Sequence, residues 1–308
     1  MLSRTAKSVF GIGRSVERAD GTARLLDVHL QLLDEEPWIE EDLACRSLLG
    51  VLGASVPDDE RLTRADVLGM LAVDRHNAAS IAYSLGAARE DARRAREFVS
   101  TELWECLNTT RARMPRKVAS DKVHEFFGWV RERSALAVGI IESTTSHDET
   151  WNFFTLGRSI ERADLTARLL ASRMLTEVAG PSWTTILRSC GAYEPYLHTH
   201  RGVPSARTAA EFLLLDPSFP RSVLFSVRRA EQCLREVEPA TERAGTEDDA
   251  QRLLGGIRSS LEVAPVAAIL EDLPSRMEQV RQATTEVSDA IRARYFPTDA
   301  APSWAGGR

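Results

Sequence analysis

Two short stretches of this chain carry the same charged residues at the same spacing. Residues 12–26 read IGRSVERADGTARLL, and residues 156–170 read LGRSIERADLTARLL. Twelve of the fifteen positions are identical, and the second stretch begins 144 residues after the first. The three changes are Ile to Leu, Val to Ile and Gly to Leu. The candidate polar cluster is Arg14, Glu17, Arg18, Asp20 and Arg24 with Arg158, Glu161, Arg162, Asp164 and Arg168. Carboxylates and guanidiniums at these spacings suit three kinds of work. They form an ion-pair network that sets helix register. They line a polar pocket for an amino or carboxyl group, a carboxylate serving as general base and an arginine as anion clamp. Or the carboxylates hold a metal. A di-iron bundle needs Glu-x-x-His pairs; the motif stretches supply none, and so many arginines disfavour a cation. No metal or other cofactor is expected.

Projected at about 100° per residue, Val9, Ile12, Val16, Ala19, Ala23 and Leu26 form one apolar stripe. Glu17, Asp20 and Arg24 lie on a narrow strip beside it, with Gly13; Arg14, Arg18 and Leu25 lie on a third. A carboxylate at the border of a core stripe needs a partner, because an unpaired buried charge is costly. Asp20 and Arg24 can pair along one helix at i,i+4, which leaves Glu17 for an arginine of another helix, such as the other copy.

Other chemistry-bearing residues are weaker. There is no GxxxxGKS, HExxH or GxSxG. Gly11-x-Gly13 falls inside a helix rather than between strand and helix. His198-x-His200 has no nearby Cys or acid cluster and reads as solvated. Cys190 and Cys233 lack a local histidine and read as buried, inert thiols. The run from Arg89 to Arg96 interleaves acids and reads as a solvated helix face.

The elements that must position the cluster are helices. Apolar residues recur at spacings of three and four, without period-two alternation. Helices are expected over 3–33, 38–52, 63–72, 78–111, 120–145, 149–177, 183–190, 206–215, 221–238, 249–263 and 267–296. Breaks fall at Pro37, residues 53–59, residues 74–77, Met114-Pro115 and Gly180-Pro181. Residues 191–204 read as a loop, the charged segment 238–249 as mobile, and the tail 297–308 as disordered. The halves match beyond the motif. Leu71-Ala-Val-Asp74 and Leu213-Leu-Leu-Asp216 each precede an aligned Ser, Ser80 or Ser222, at a spacing of 142. The expectation is an all-α bundle of two repeats of about five helices, residues 1–146 and 147–296, packed as one body about a pseudo-twofold axis.

The chain has 308 residues, 43% hydrophobic and 27% charged, enough to bury a sizeable core. Its net charge of −6 argues against nucleic acid or acidic lipid as a partner. No apolar run has the length of a membrane span or a signal peptide. Four scattered cysteines without CxxC suggest reduced thiols in the cytoplasm.

The opening MLSR, the Gly-Arg-x-x-Glu-Arg-Ala core, the Thr-Ala-Arg-Leu-Leu continuation, Leu213 to Pro217 and Phe219 to Val223 together resemble the bacterial alpha-E domain family, over nearly the whole chain. The resemblance implies an all-helical fold, with the family's Glu-Arg pair at Glu17-Arg18 and Glu161-Arg162. Members often carry Glu where Asp20 and Asp164 stand, and an aromatic where Ser15 and Ser159 stand, which lowers the catalytic demand on those positions. It also implies association with a circularly permuted ATP-grasp protein, and with a transglutaminase-like protein. ATP-grasp enzymes join a carboxylate to an amine through an acyl phosphate. The functional expectation is an accessory protein presenting a peptide or amine substrate to such a ligase. The alternative is an enzyme acting on an acyl or aminoacyl intermediate through the Glu/Arg cluster.

Overall fold

The computed structural model describes residues 3–54, 61–172, 183–238 and 248–297. Among them the chain is all-α, without strands. The helices are α1 (Ser3–Glu35), α2 (Glu41–Leu52), α3 (Arg64–Val67), α4 (Ile81–Arg94), α5 (Thr101–Arg113), α6 (Val123–Thr144) and α7 (Glu149–Ala171). There follow α8 (Trp183–Ser189), α9 (Tyr193–Thr199), α10 (Ala206–Leu215), α11 (Val223–Val237), α12 (Asp249–Val263), α13 (Val266–Glu271) and α14 (Leu273–Tyr295). A π-helical turn (Leu68–Val73) continues α3, and a 3-10 turn (Ser120–Lys122) leads into α6.

The two motif stretches lie in α1 and α7, and these helices pack along each other at the centre. Helices α4 and α6 cover α1, while α11 and α14 cover α7. Glycine decides how closely the central pair approaches. A Cβ on Gly13 would press into the Phe154 carbonyl oxygen, and one on Gly157 into that of Phe10. Backbone therefore meets backbone where the helices cross. Neighbours on several sides bury more of α1 than one stripe: Leu25, assigned above to the third strip, is fully buried, as is Leu26. One connected apolar core runs from Ala6 to Phe296.

Several boundaries differ from the sequence reading. The helix expected over 78–111 is two, α4 and α5, separated by residues 95–100. Ser100 is the reason: its hydroxyl caps α5 by accepting from the Leu103 amide at 3.2 Å. The loop expected over 191–204 contains α9, whose Tyr196 is buried and stacks at 4.7 Å on His200. Helix 267–296 is broken into α13 and α14, with Pro274 in the first turn of α14, where a missing amide costs nothing. Helix α2 starts at Glu41 rather than Trp38, and α7 stops at Ala171. The expected continuation to 177, the break at Gly180-Pro181, most of the charged segment 238–249 and the tail beyond Pro297 lie outside the described residues.

Two loops hold their helices with the same bonds. Ser80 and Ser222 each accept from the amide three residues on, Tyr83 and Phe225, at 3.0 Å. Each hydroxyl also donates back, to the carbonyls of Asp74 and Asp216 respectively. The Asp74 and Asp216 carboxylates each accept from the amide two residues later at 2.8 Å.

Candidate functional site

The ten cluster residues converge along the seam between α1 and α7, because i,i+3 and i,i+4 spacing puts them on adjoining helix faces. The pairing crosses the seam in both directions. Arg162 of α7 grips Glu17 with a two-pronged contact, Nε to Oε1 at 2.8 Å and Nη2 to Oε2 at 2.6 Å. Arg18 of α1 grips Glu161 likewise, Nε to Oε1 at 2.5 Å and Nη2 to Oε2 at 3.0 Å. A planar guanidinium matches a carboxylate in this way and a lysine ammonium does not. Arg14 adds a bond to Glu161 Oε2 at 2.8 Å, and Arg158 lies 3.5 Å from Glu17 Oε2. Within each helix Arg24 pairs with Asp20 at 2.9 Å and Arg168 with Asp164 at 2.7 Å. Two left-handed glycines seat these last arginines. Gly191, at φ +61, lies against Arg24, and Gly53, at φ +68, lies against Arg168.

One participant was not read from the sequence. Arg221, just before α11, places Nη1 2.9 Å from Glu17 Oε1 and Nη2 2.5 Å from Asp20 Oδ2. The signal was present in the alignment of Ser80 with Ser222, which sets Arg221 opposite Ala79. Burial pulls the Arg221 guanidinium down, but Glu17 and Asp20 more than offset this and raise it.

The carboxylates answer to opposing forces. Burial alone would raise Glu17, but the guanidiniums of Arg162 and Arg221 outweigh it and hold the carboxyl far below the usual range. Burial also raises Glu161, and Arg18 and Arg14 bring it down to about 2. At Asp164 burial wins over Arg168, and the carboxyl is raised. Arg158 is lowered by burial in spite of Glu17, and its buried Nε has no hydrogen-bond partner among the described residues.

The seam is open on one side. A cavity of about 330 Å³ is lined by Arg18, Thr22, Ala79, Glu161, Asp164 and Arg168, among others. The residues set aside above do not join it. His198 is exposed at the end of α9, and His200 stacks on Tyr196. Cys190 and Cys233 are buried, and burial pushes both thiols to about 12. Arg89 and Arg93 pair with Glu90, and Arg94 with Asp91. No group of three or more His, Cys, Asp or Glu side chains suited to a metal ion occurs among the described residues. No described helix is long and apolar enough to cross a membrane.

The family model of Alpha-E, a predicted alpha-helical domain with a conserved ER motif, matches residues 1–296. The chain belongs to the Alpha-E family. No curated protein and no solved structure matches the chain. The Glu-Arg pairs of this Alpha-E chain, Glu17-Arg18 and Glu161-Arg162, are the residues that exchange partners across the seam.

Proposed function

We propose that this Alpha-E chain is an accessory protein of an ATP-grasp amide-ligase system, presenting a peptide or amine substrate in a pathway that makes or modifies a peptide. The observation that carries the binding role is the commitment of the cluster carboxylates to arginine. Glu17 and Glu161 are each gripped across the seam and held below the usual carboxylate range. A general base works best with a pKa near the operating pH, and these two lie far from it. The polar cavity beside Glu161 supports the binding of a small charged group. The partner class, a circularly permuted ATP-grasp protein with a transglutaminase-like protein as a further candidate, comes from the family resemblance. The same reading takes the protein to work in the cytoplasm.

The reading includes the origin of the site. Residues 1–146 and 147–296 are two copies of one helical unit, joined about a pseudo-twofold axis between α1 and α7, with residues 297–308 a tail outside both. The reciprocal grips, the paired glycines Gly13 and Gly157, and the matching loops at Ser80 and Ser222 support it. Co-purification of the full chain with its ATP-grasp partner, with and without candidate amines, tests the function. Association in at least one substrate state is expected; none in any state overturns it. An enzyme acting on an acyl or aminoacyl intermediate is a second reading, favoured by Asp164, whose raised carboxyl lines the cavity. Unchanged turnover of that intermediate in folded Asp164→Asn protein would sink it.

A further inference from the structure

The two sides of the seam differ in whether an arginine enters between the acids. On one side, Arg221 inserts its guanidinium between Glu17 and Asp20, bonding one oxygen of each. On the other, Ala79 stands at the aligned position, and the cavity occupies the space beside Glu161 and Asp164. Among the described residues, no arginine there bridges Glu161 and Asp164 as Arg221 bridges Glu17 and Asp20. Glu17 Oε1 accepts from Arg162 and Arg221; among the described residues Glu161 Oε1 accepts from Arg18 alone, with Arg14 and Arg18 on its Oε2. Asp20 Oδ2 accepts from Arg24 and Arg221; among the described residues Asp164 Oδ2 accepts from Arg168 alone, and its Oδ1 from Thr284 at 3.4 Å. A carboxylate oxygen readily takes two donors.

The motif threonines differ at the same place. Thr166 donates to the main-chain carbonyl of Arg221 at 3.1 Å. Thr22, which holds the same place in the first motif, lies in the cavity wall and is fully buried, and its hydroxyl has no partner among the described residues. Buried hydroxyls are normally bonded, and Thr166, its counterpart, is bonded where Arg221 enters. Arg18 and Arg168 also line the cavity, but each already spends its Nε on its own carboxylate.

We infer that the cavity beside Ala79 binds a guanidinium group carried by a small molecule or peptide, seated between Glu161 and Asp164 as Arg221 is seated between Glu17 and Asp20. The volume of about 330 Å³ falls at the small end of ligand sites, which span about 300–1,000 Å³, and leaves room for a short alkyl chain behind the planar head. A guanidinium bridges two carboxylate oxygens with parallel N–H groups, whereas a methylammonium offers one compact point of charge. This names the recognised group of the amine substrate proposed above, and its place in amide synthesis rests on that reading.

The test titrates the full chain with methylguanidinium and agmatine, using methylammonium and acetate as comparators, by calorimetry and thermal shift. Saturable binding of both guanidinium compounds is expected, tighter than methylammonium, with acetate inert. Ala79→Arg supplies the missing group from the chain itself, and should keep the fold while weakening binding by about tenfold or more. Asp164→Asn should weaken it too. Arg221→Ala opens the opposite side, and its lowered melting temperature should be partly restored by methylguanidinium. No saturable binding to the native chain overturns the inference, as does undiminished binding in Ala79→Arg, or acetate binding that Ala79→Arg abolishes. Association with the ATP-grasp partner is scored separately. Partner binding without guanidinium binding removes only this inference, and guanidinium binding without a partner removes only the amide-ligase reading.

Discussion

Glu17 and Glu161 hold the same place in the motif yet sit in different surroundings. Three arginines surround Glu17, and two of them, Arg162 and Arg221, are 14% and 18% exposed. Glu161 has two, of which Arg18 is 33% exposed. Removing one partner of a buried ion pair leaves the others uncompensated, at a cost of about 3–5 kcal/mol. Glu17→Gln is therefore expected to lose about that much in denaturant unfolding. Glu161→Gln should lose less, about 1–3 kcal/mol, because water reaches its arginines. Equal losses would contradict this difference between the two sides. The pH dependence follows in sign. Glu161 falls from 4.5 in the unfolded chain to about 2 when folded. Its stabilising contribution is present above pH 4.5 and is lost as the pH drops toward 2. Asp164 is raised, so its contribution runs the other way, present in acid and lost as the pH rises through the folded value. Urea midpoints measured from neutral pH downward should fall less steeply in Glu161→Gln than in the native chain.

The helices meet through shape as well as charge. Of the three differences between the motifs, Gly to Leu is the one with a visible cause. A Cβ on Gly21 would collide with the Leu165 side chain, so a leucine on one helix fills the groove left by the glycine on the other. Two leucines would overpack the crossing, and overpacking costs about 1–3 kcal/mol. Gly21→Leu is expected to lower the melting temperature although leucine favours helix over glycine. Adding Leu165→Gly should restore most of the loss, since the knob and the groove are then exchanged. If the double variant is no better than Gly21→Leu alone, the helices do not interlock at this position.

At the scale of the whole molecule, neither half carries a complete interior. The buried carboxylate Glu17 of α1 takes its arginines from beyond residue 146, and Glu161 takes its own from residues 14 and 18. Helices α1 and α7 bury their central residues against each other. Residues 1–146 and 147–308 expressed alone should each be poorly folded by circular dichroism. Co-expressed, they should elute together as one folded complex. Two cooperatively folding monomers would instead mean two independent domains.

The helical class, the repeated motif and most helix ends were legible in the residues themselves. Helical periodicity and the proline at position 37 act within a few residues, and so can be read along the chain. The break between α4 and α5 was missed because the apolar pattern runs on through residues 95–100, and a lone Ser100 is a weak mark. Helix α9 was missed because seven residues bounded by Gly191 and Pro204 look like a loop until Tyr196 finds its burial site. The residue types and spacing of the cluster stood in the sequence, as did the pairing of Asp20 with Arg24 and the reach of Glu17 to another helix; which arginine Glu17 meets did not. The grips join residues up to 204 positions apart, and only the crossing of α1 with α7 and the packing of α11 on α7 determine which arginine reaches Glu17. The same holds for the cavity. The sequence places an alanine at 79 and an arginine at 221, but the packed helices turn that difference into a filled site on one side and an open one on the other. Charge pairing and cavity shape depend on distances between elements, which the tertiary structure alone decided.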